Sequence, residues 1–151
     1  MDTQSLLHAL DPTELTFEAT PLVAWDIGAV SNAEDVAKFM YRGGPFPPLA
    51  SAKPPPPVED RRPEEKYWHF VKKEMHAFLC TDDRRFRELW KQIDALQKKS
   101  TTTIVGVVAT FLGASIGAAP TLLAGFVAVC LYAVIKVGKE AYCSYAAQDV
   151  A

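Results

Sequence analysis

The stretch that decides the reading runs from Ser100 to Ile135, STTTIVGVVATFLGASIGAAPTLLAGFVAVCLYAVI, and holds no charged residue in 36 positions. An uncharged run of more than about 18 residues is long enough to cross a bilayer. As one straight helix it would measure roughly 54 Å at about 1.5 Å per residue, well beyond a hydrocarbon core of about 30 Å. The run is broken near its middle by Gly117-Ala118-Ala119-Pro120. Pro120 disfavours helix at Ala119, and Gly117 offers a C-cap. The stretch therefore predicts two helices, about Thr102–Gly117 and Pro120–Val137, each at the short end of what spans a bilayer.

The flanks sharpen this expectation. Lys98 and Lys99 precede the run, and Lys136 and Lys139 follow or close it. In a hairpin all four lie on one side and the loop is uncharged, as the positive-inside rule requires for cytosolic termini. Tyr142 and Tyr145 suit an interfacial pair at the exit. The first helix carries Gly106, Thr110, Gly113 and Gly117 at helical spacing, and the second has Ala124 and Ala128 with Gly125 beside them. Small faces of this kind let helices approach closely in lipid, either to close the hairpin or to self-associate. No charged or strongly polar residue lies between Ser100 and Ile135, which argues against a proton relay or voltage sensor.

Charge is segregated upstream as well. Residues 1–60 hold 9 acidic against 3 basic side chains, and residues 61–99 hold 11 basic against 7 acidic. Residues 1–44 read as a small unit, with Leu15–Ile27 a short extended segment interrupted by Pro21. Ser31-Asn32-Ala33-Glu34 matches a capping box, and the helix after it has Ala33, Val36, Ala37 and Met40 on one face and Gly43-Gly44 as its stop. Residues 45–63 read as a Pro-rich spacer, seven of the 13 residues from Pro45 to Pro57 being proline.

Residues 64–99 read as two amphipathic cytosolic helices, or one helix with a break. Tyr67, Val71, Met75, Phe78 and Leu79 mark the first. Thr81-Asp82-Asp83 restarts a second, with Phe86, Leu89, Trp90, Ile93 and Leu96 on its face. Neither can bury its stripe alone, so they are expected to pack on each other or on residues 1–44. Residues 100–139 are the transmembrane hairpin and residues 140–151 a short cytosolic tail. The fold class is mainly α.

The remaining chemistry is sparse. His69, His76 and Cys80 share one helix face, but a tetrahedral metal site needs a fourth ligand and no CxxC or HxxxH pair occurs, so helix packing is the expected role. Arg84-Arg85-Phe86-Arg87 suits a solvated helix face, with anionic headgroups as the nearer partner, and no nucleic acid is expected. Three cysteines, Cys80, Cys130 and Cys143, show no paired spacing, so reduced thiols are expected; Cys143 sits where palmitoylation is conceivable. No catalytic fingerprint is present, and neither an enzyme nor a cofactor is expected. The N-terminus has acids where a signal peptide needs a basic region.

The uncharged, Gly/Ala-rich hairpin turning on GAAP resembles the hydrophobic hairpin of colicin-type pore formers. The plan of a small cytosolic part followed by two short membrane helices is also similar to two-helix membrane effectors of bacterial anti-phage defence systems. The resemblance covers about 40 residues and is architectural. It implies a self-associating, membrane-disrupting protein of the inner membrane, its partners lipid, further copies of itself and a cytosolic protein met through residues 1–99. A non-toxic anchor is the alternative. A soluble bundle with residues 100–137 at its centre is the third, and the few apolar faces legible in residues 1–99 count against it.

Overall fold

The computed structural model describes residues 3–19, 30–42, 64–81, 83–97 and 99–150, and among these it contains helices and no strand. The helices are α1 (Thr3–Ala9), α2 (Pro12–Glu18), α3 (Val30–Arg42), α4 (Glu65–Cys80), α5 (Arg87–Asp94), α6 (Thr101–Ile116), α7 (Pro120–Val137) and α8 (Lys139–Val150). A 3₁₀ turn, Arg84–Phe86, leads into α5.

Local chemistry sets most boundaries. Ser100 Oγ accepts from the Thr103 N–H at 3.2 Å and opens α6. Gly117 closes it at φ 70°, a left-handed conformation that costs glycine little. The N–H of Ala118 then reaches the Gly113 carbonyl at 3.0 Å, and Pro120 occupies the first turn of α7, where no N–H is needed. The two apolar helices thus begin and end within a residue of their predicted limits. Gly138, at φ 92°, separates α7 from α8.

Two N-terminal expectations change. Leu15 to Glu18 are helical, within α2, rather than extended. The signal lies just upstream: Asp11 Oδ1 accepts from the Thr13 N–H at 2.9 Å, and Pro12 supplies a pre-set φ at the first position. This start overrides the β-branched composition that follows it. Residues 20–27 of that segment lie outside the described residues, as do the Gly43-Gly44 stop and all of the 45–63 spacer. Helix α3 begins at Val30, so Ser31 sits inside it rather than capping it, while Ala33, Val36 and Ala37 are buried as the periodicity predicts.

Helix α7 is the axis of the fold. It contacts α1, α2, α3, α4, α6 and α8. Six consecutive residues, Phe126 to Leu131, are buried. At about 100° per residue such a run covers every side of a helix, so the middle of α7 is enclosed all round by protein, while Pro120, Thr121 and Lys136 at its ends are exposed. Helices α4 and α5 do not stand apart from the hairpin. Helix α4 lies on α7, and α5 lies on α6. Residues 1–99 supply more apolar cover than their sequence suggests: Leu6, Leu10, Leu15, Val36, Trp68, Val71 and Met75 all belong to the single core that includes the hairpin.

Candidate functional site

The hairpin and the side chains that hold it are the centre of interest, because no group of three metal-ligand side chains occurs among the described residues. Helix α7 is the one described helix long and apolar enough to cross a membrane, with 18 residues, a mean hydropathy of 2.0 and half of that window buried. Helix α6 is apolar but shorter. Its inner face buries Ile104, Val105, Val108, Ala109 and Leu112. Its outer face exposes Thr102, Gly106, Thr110, Ala114, Ser115 and Ile116, without a charge among them.

The predicted small-residue stripe divides between these faces. Gly113 is buried, and a Cβ there would meet the Ala118 carbonyl oxygen at 2.5 Å, so this glycine serves the closure of the turn. Gly106 and Gly117 have nothing within 4 Å of a Cβ and face outward. On α7, Ala128 is fully buried, while Ala124 and Gly125 are half-buried. Among the flanking lysines, Lys99 Nζ donates to the carbonyls of Asp94 and Leu96 at 3.3 and 3.2 Å. Lys136 lies over the Tyr132 ring, 5.4 Å from its centroid, and Lys139 is half-buried. Lys98 is outside the described residues.

Three attachments clasp the α6–α7 hairpin. The first joins α3 and α4: Trp68 Nε1 donates to Glu34 Oε2 at 2.8 Å, and Lys72 Nζ donates to Glu34 Oε1 at 2.9 Å. The Trp68 ring lies on Phe126, centroids 5.5 Å apart. One carboxylate thereby satisfies a buried indole N–H and holds a part-buried ammonium group beside it. The second is aromatic. Phe78 stacks near Trp90 at 4.5 Å and Phe86 at 5.6 Å, and Phe86 reaches Phe111 of α6 at 5.8 Å. The 3₁₀ turn beneath is fixed by Asp83, whose carboxyl is held below its usual range by hydrogen bonds from Arg85.

The third attachment corrects the cysteine reading. Cys80, at the end of α4, and Cys143, in α8, form a disulfide with Cα atoms 5.6 Å apart. Their 63-residue separation carries no spacing signal, because only the packing of α8 on α4 brings them together. Cys143 is thus engaged rather than a free thiol, and Cys80 is not a partner for His69 and His76. His69 is solvent-exposed, 3.5 Å from Glu65, and not a packing residue. Tyr142 is buried within the bundle. It is 3% exposed against α7, where burial holds its phenol well above the ordinary range. Its hydroxyl faces the Cys130 thiol without reaching hydrogen-bonding geometry, and no described group satisfies it. Cys130 remains a free, buried thiol.

Compared with known proteins, the chain finds no match: no family model, no curated protein and no solved structure aligns with it significantly. The functional reading therefore rests on the geometry of the hairpin and its clasp.

Proposed function

We propose that this protein is a latent membrane-active bundle, in which the hydrophobic hairpin α6–α7 is shielded by α1–α5 and α8 and enters a bilayer when that cover parts. The observation that carries the reading is the surface of α6. A helix on the outside of a water-soluble bundle ordinarily places charges on its wet face, whereas the six exposed positions of α6 from Thr102 to Ile116 carry none. Uncharged Ala118, Ala119, Pro120 and Thr121 continue this surface across the turn. Such a surface loses little on entering lipid, and α7 brings the length and apolarity to follow. Helix α4 cannot follow, since Lys66, Lys72, Lys73 and Glu74 would each cost about 2.5–3.5 kcal/mol near a bilayer centre. Insertion therefore requires α4 to leave α7.

In the inserted state the lysines at the base of the hairpin stay on the side of entry, with both termini cytosolic. Self-association through the small-residue positions Gly106, Gly117, Ala124 and Gly125, and permeabilisation of the inner membrane, are the expected consequences. A second reading, a soluble interaction bundle whose core helix is α7, is favoured by the complete enclosure of Phe126 to Leu131.

Thr110→Lys separates the two. Thr110 is exposed in the middle of α6, so a lysine there leaves the bundle folded, yet it places a charge in the hydrocarbon core after insertion. The measurement is depolarisation, with resistance to an alkaline carbonate wash, in cells expressing each protein at matched level. Loss of both in the variant, with an unchanged circular dichroism spectrum, supports the membrane reading. Wild-type protein that neither depolarises cells nor resists the wash leaves the soluble bundle.

A further inference from the structure

We propose that the Cys80–Cys143 disulfide is a redox latch that keeps α4 and α8 closed over α7, and that a dithiol reductant opens it. The inference rests on the membrane reading for its consequence and on the geometry of α8 for its mechanism. Among the described side chains of α8, Tyr142 is the buried one, and its hydroxyl has no hydrogen-bond partner. Burial of an unsatisfied hydroxyl subtracts from what the packing of α8 on α4 and α7 contributes to docking. The next residue, Cys143, supplies a covalent hold on the end of α4. While the bond exists, Cys80 cannot retreat from the exit end of α7, and Tyr142 stays seated on Cys130. Without it, the two helices that must leave α7 are free to move independently.

Both bridge cysteines are half-buried rather than enclosed, so a thiolate can reach either sulfur. One thiolate of the dithiol attacks one cysteine sulfur, giving a mixed disulfide and releasing the other cysteine as a thiolate that takes a proton. The second thiol of the reductant then displaces the remaining cysteine, which is protonated in turn. The two protein sulfurs are reduced and the two reductant sulfurs are oxidised to a disulfide.

The test uses the full chain on phosphatidylcholine–phosphatidylglycerol vesicles loaded with a self-quenching dye, with hydrogen exchange of residues 139–145 read in parallel. The forms compared are oxidised wild type, wild type with dithiothreitol, and Cys80→Ser/Cys143→Ser with and without dithiothreitol. Circular dichroism confirms that each is folded at the assay temperature. The latch predicts faster exchange in α8 and dye release at least about tenfold faster in every form lacking the bond, with no response of the double variant to reductant. Equal exchange in all forms overturns the latch. Faster exchange with equal, rapid release from every form confines the bond to α8 and overturns its control of insertion. Faster exchange with no release from any form keeps the latch as an opening device and removes the membrane reading instead.

Discussion

Gly113 and Ala118 meet across the turn of the hairpin: a Cβ on Gly113 would lie 2.5 Å from the carbonyl oxygen of Ala118. No flexible side chain stands between them that could yield, since the obstacle is backbone. The same backbone is held by the Ala118 N–H on the Gly113 carbonyl and by the left-handed Gly117. Gly113→Ala should therefore destabilise the protein by about 1–3 kcal/mol, as overpacking does in a closed site. Gly106→Ala, on the same helix but with open space around it, should stabilise by about 0.5–1 kcal/mol. Urea denaturation followed by circular dichroism measures both, and equal effects would mean that the turn is not closed in this way.

The Glu34 carboxylate is the hinge pin between α3 and α4. Glu34→Ala deprives the Trp68 indole and the Lys72 ammonium of their shared acceptor and should cost about 1–3 kcal/mol. Glu34→Gln keeps an oxygen for the indole and should cost less. Trp68 fluorescence during denaturation reports the difference, and a larger loss in the glutamine variant would contradict the shared-acceptor geometry.

Tyr142 makes stability fall at high pH. Its folded pKa is raised by burial, so the neutral phenol is the form that the bundle accepts. The contribution is intact below the unfolded value of about 10 and is lost as pH rises from there toward the folded value. Tyr142→Phe removes both this ionisation and the unsatisfied hydroxyl. The variant should be at least as stable as wild type at pH 7 and show a shallower decline above about pH 10. Thermal midpoints across the alkaline range provide the comparison; parallel curves would show that Tyr142 does not ionise on unfolding.

Enclosure of α7 also separates two phenylalanines of equal hydrophobicity. Phe126 is fully buried against Trp68, whereas Phe17 is 73% exposed on α2. Phe126→Ala should cost about 3–5 kcal/mol and Phe17→Ala within about 0.5 kcal/mol. Chemical denaturation decides, and a cheap Phe126→Ala would mean that α7 is not the centre of the core.

The limits of the hairpin were legible because caps act over a few residues. Ser100, Gly117 and Pro120 each impose a boundary through their own hydroxyl, φ freedom or missing N–H, whatever surrounds them. The faces of α3, α4 and α5 followed in the same way from helical spacing, with Trp68 the main buried residue it overlooked. Helix α2 was legible in principle, in Asp11 and Pro12, but the composition after them suggested a strand. The Glu34–Trp68–Lys72 arrangement and the Cys80–Cys143 bond had no sequence signature. The partners of each bond lie 34 to 63 residues apart, and hydrogen bonds and disulfides leave no periodic trace at such distances.

The amino-acid sequence by itself determined that residues 101–137 form two apolar helices joined by a tight uncharged turn. It could not determine what surrounds them, because a bilayer and a protein interior make the same demand on a side chain: both exclude water and both reject charge. Only the tertiary structure decided that question for the conformation described here. Helices α1, α2, α3, α4, α6 and α8 pack on α7 at positions set by contacts far apart in the chain, and the environment of its middle, Phe126 to Leu131, is a protein core.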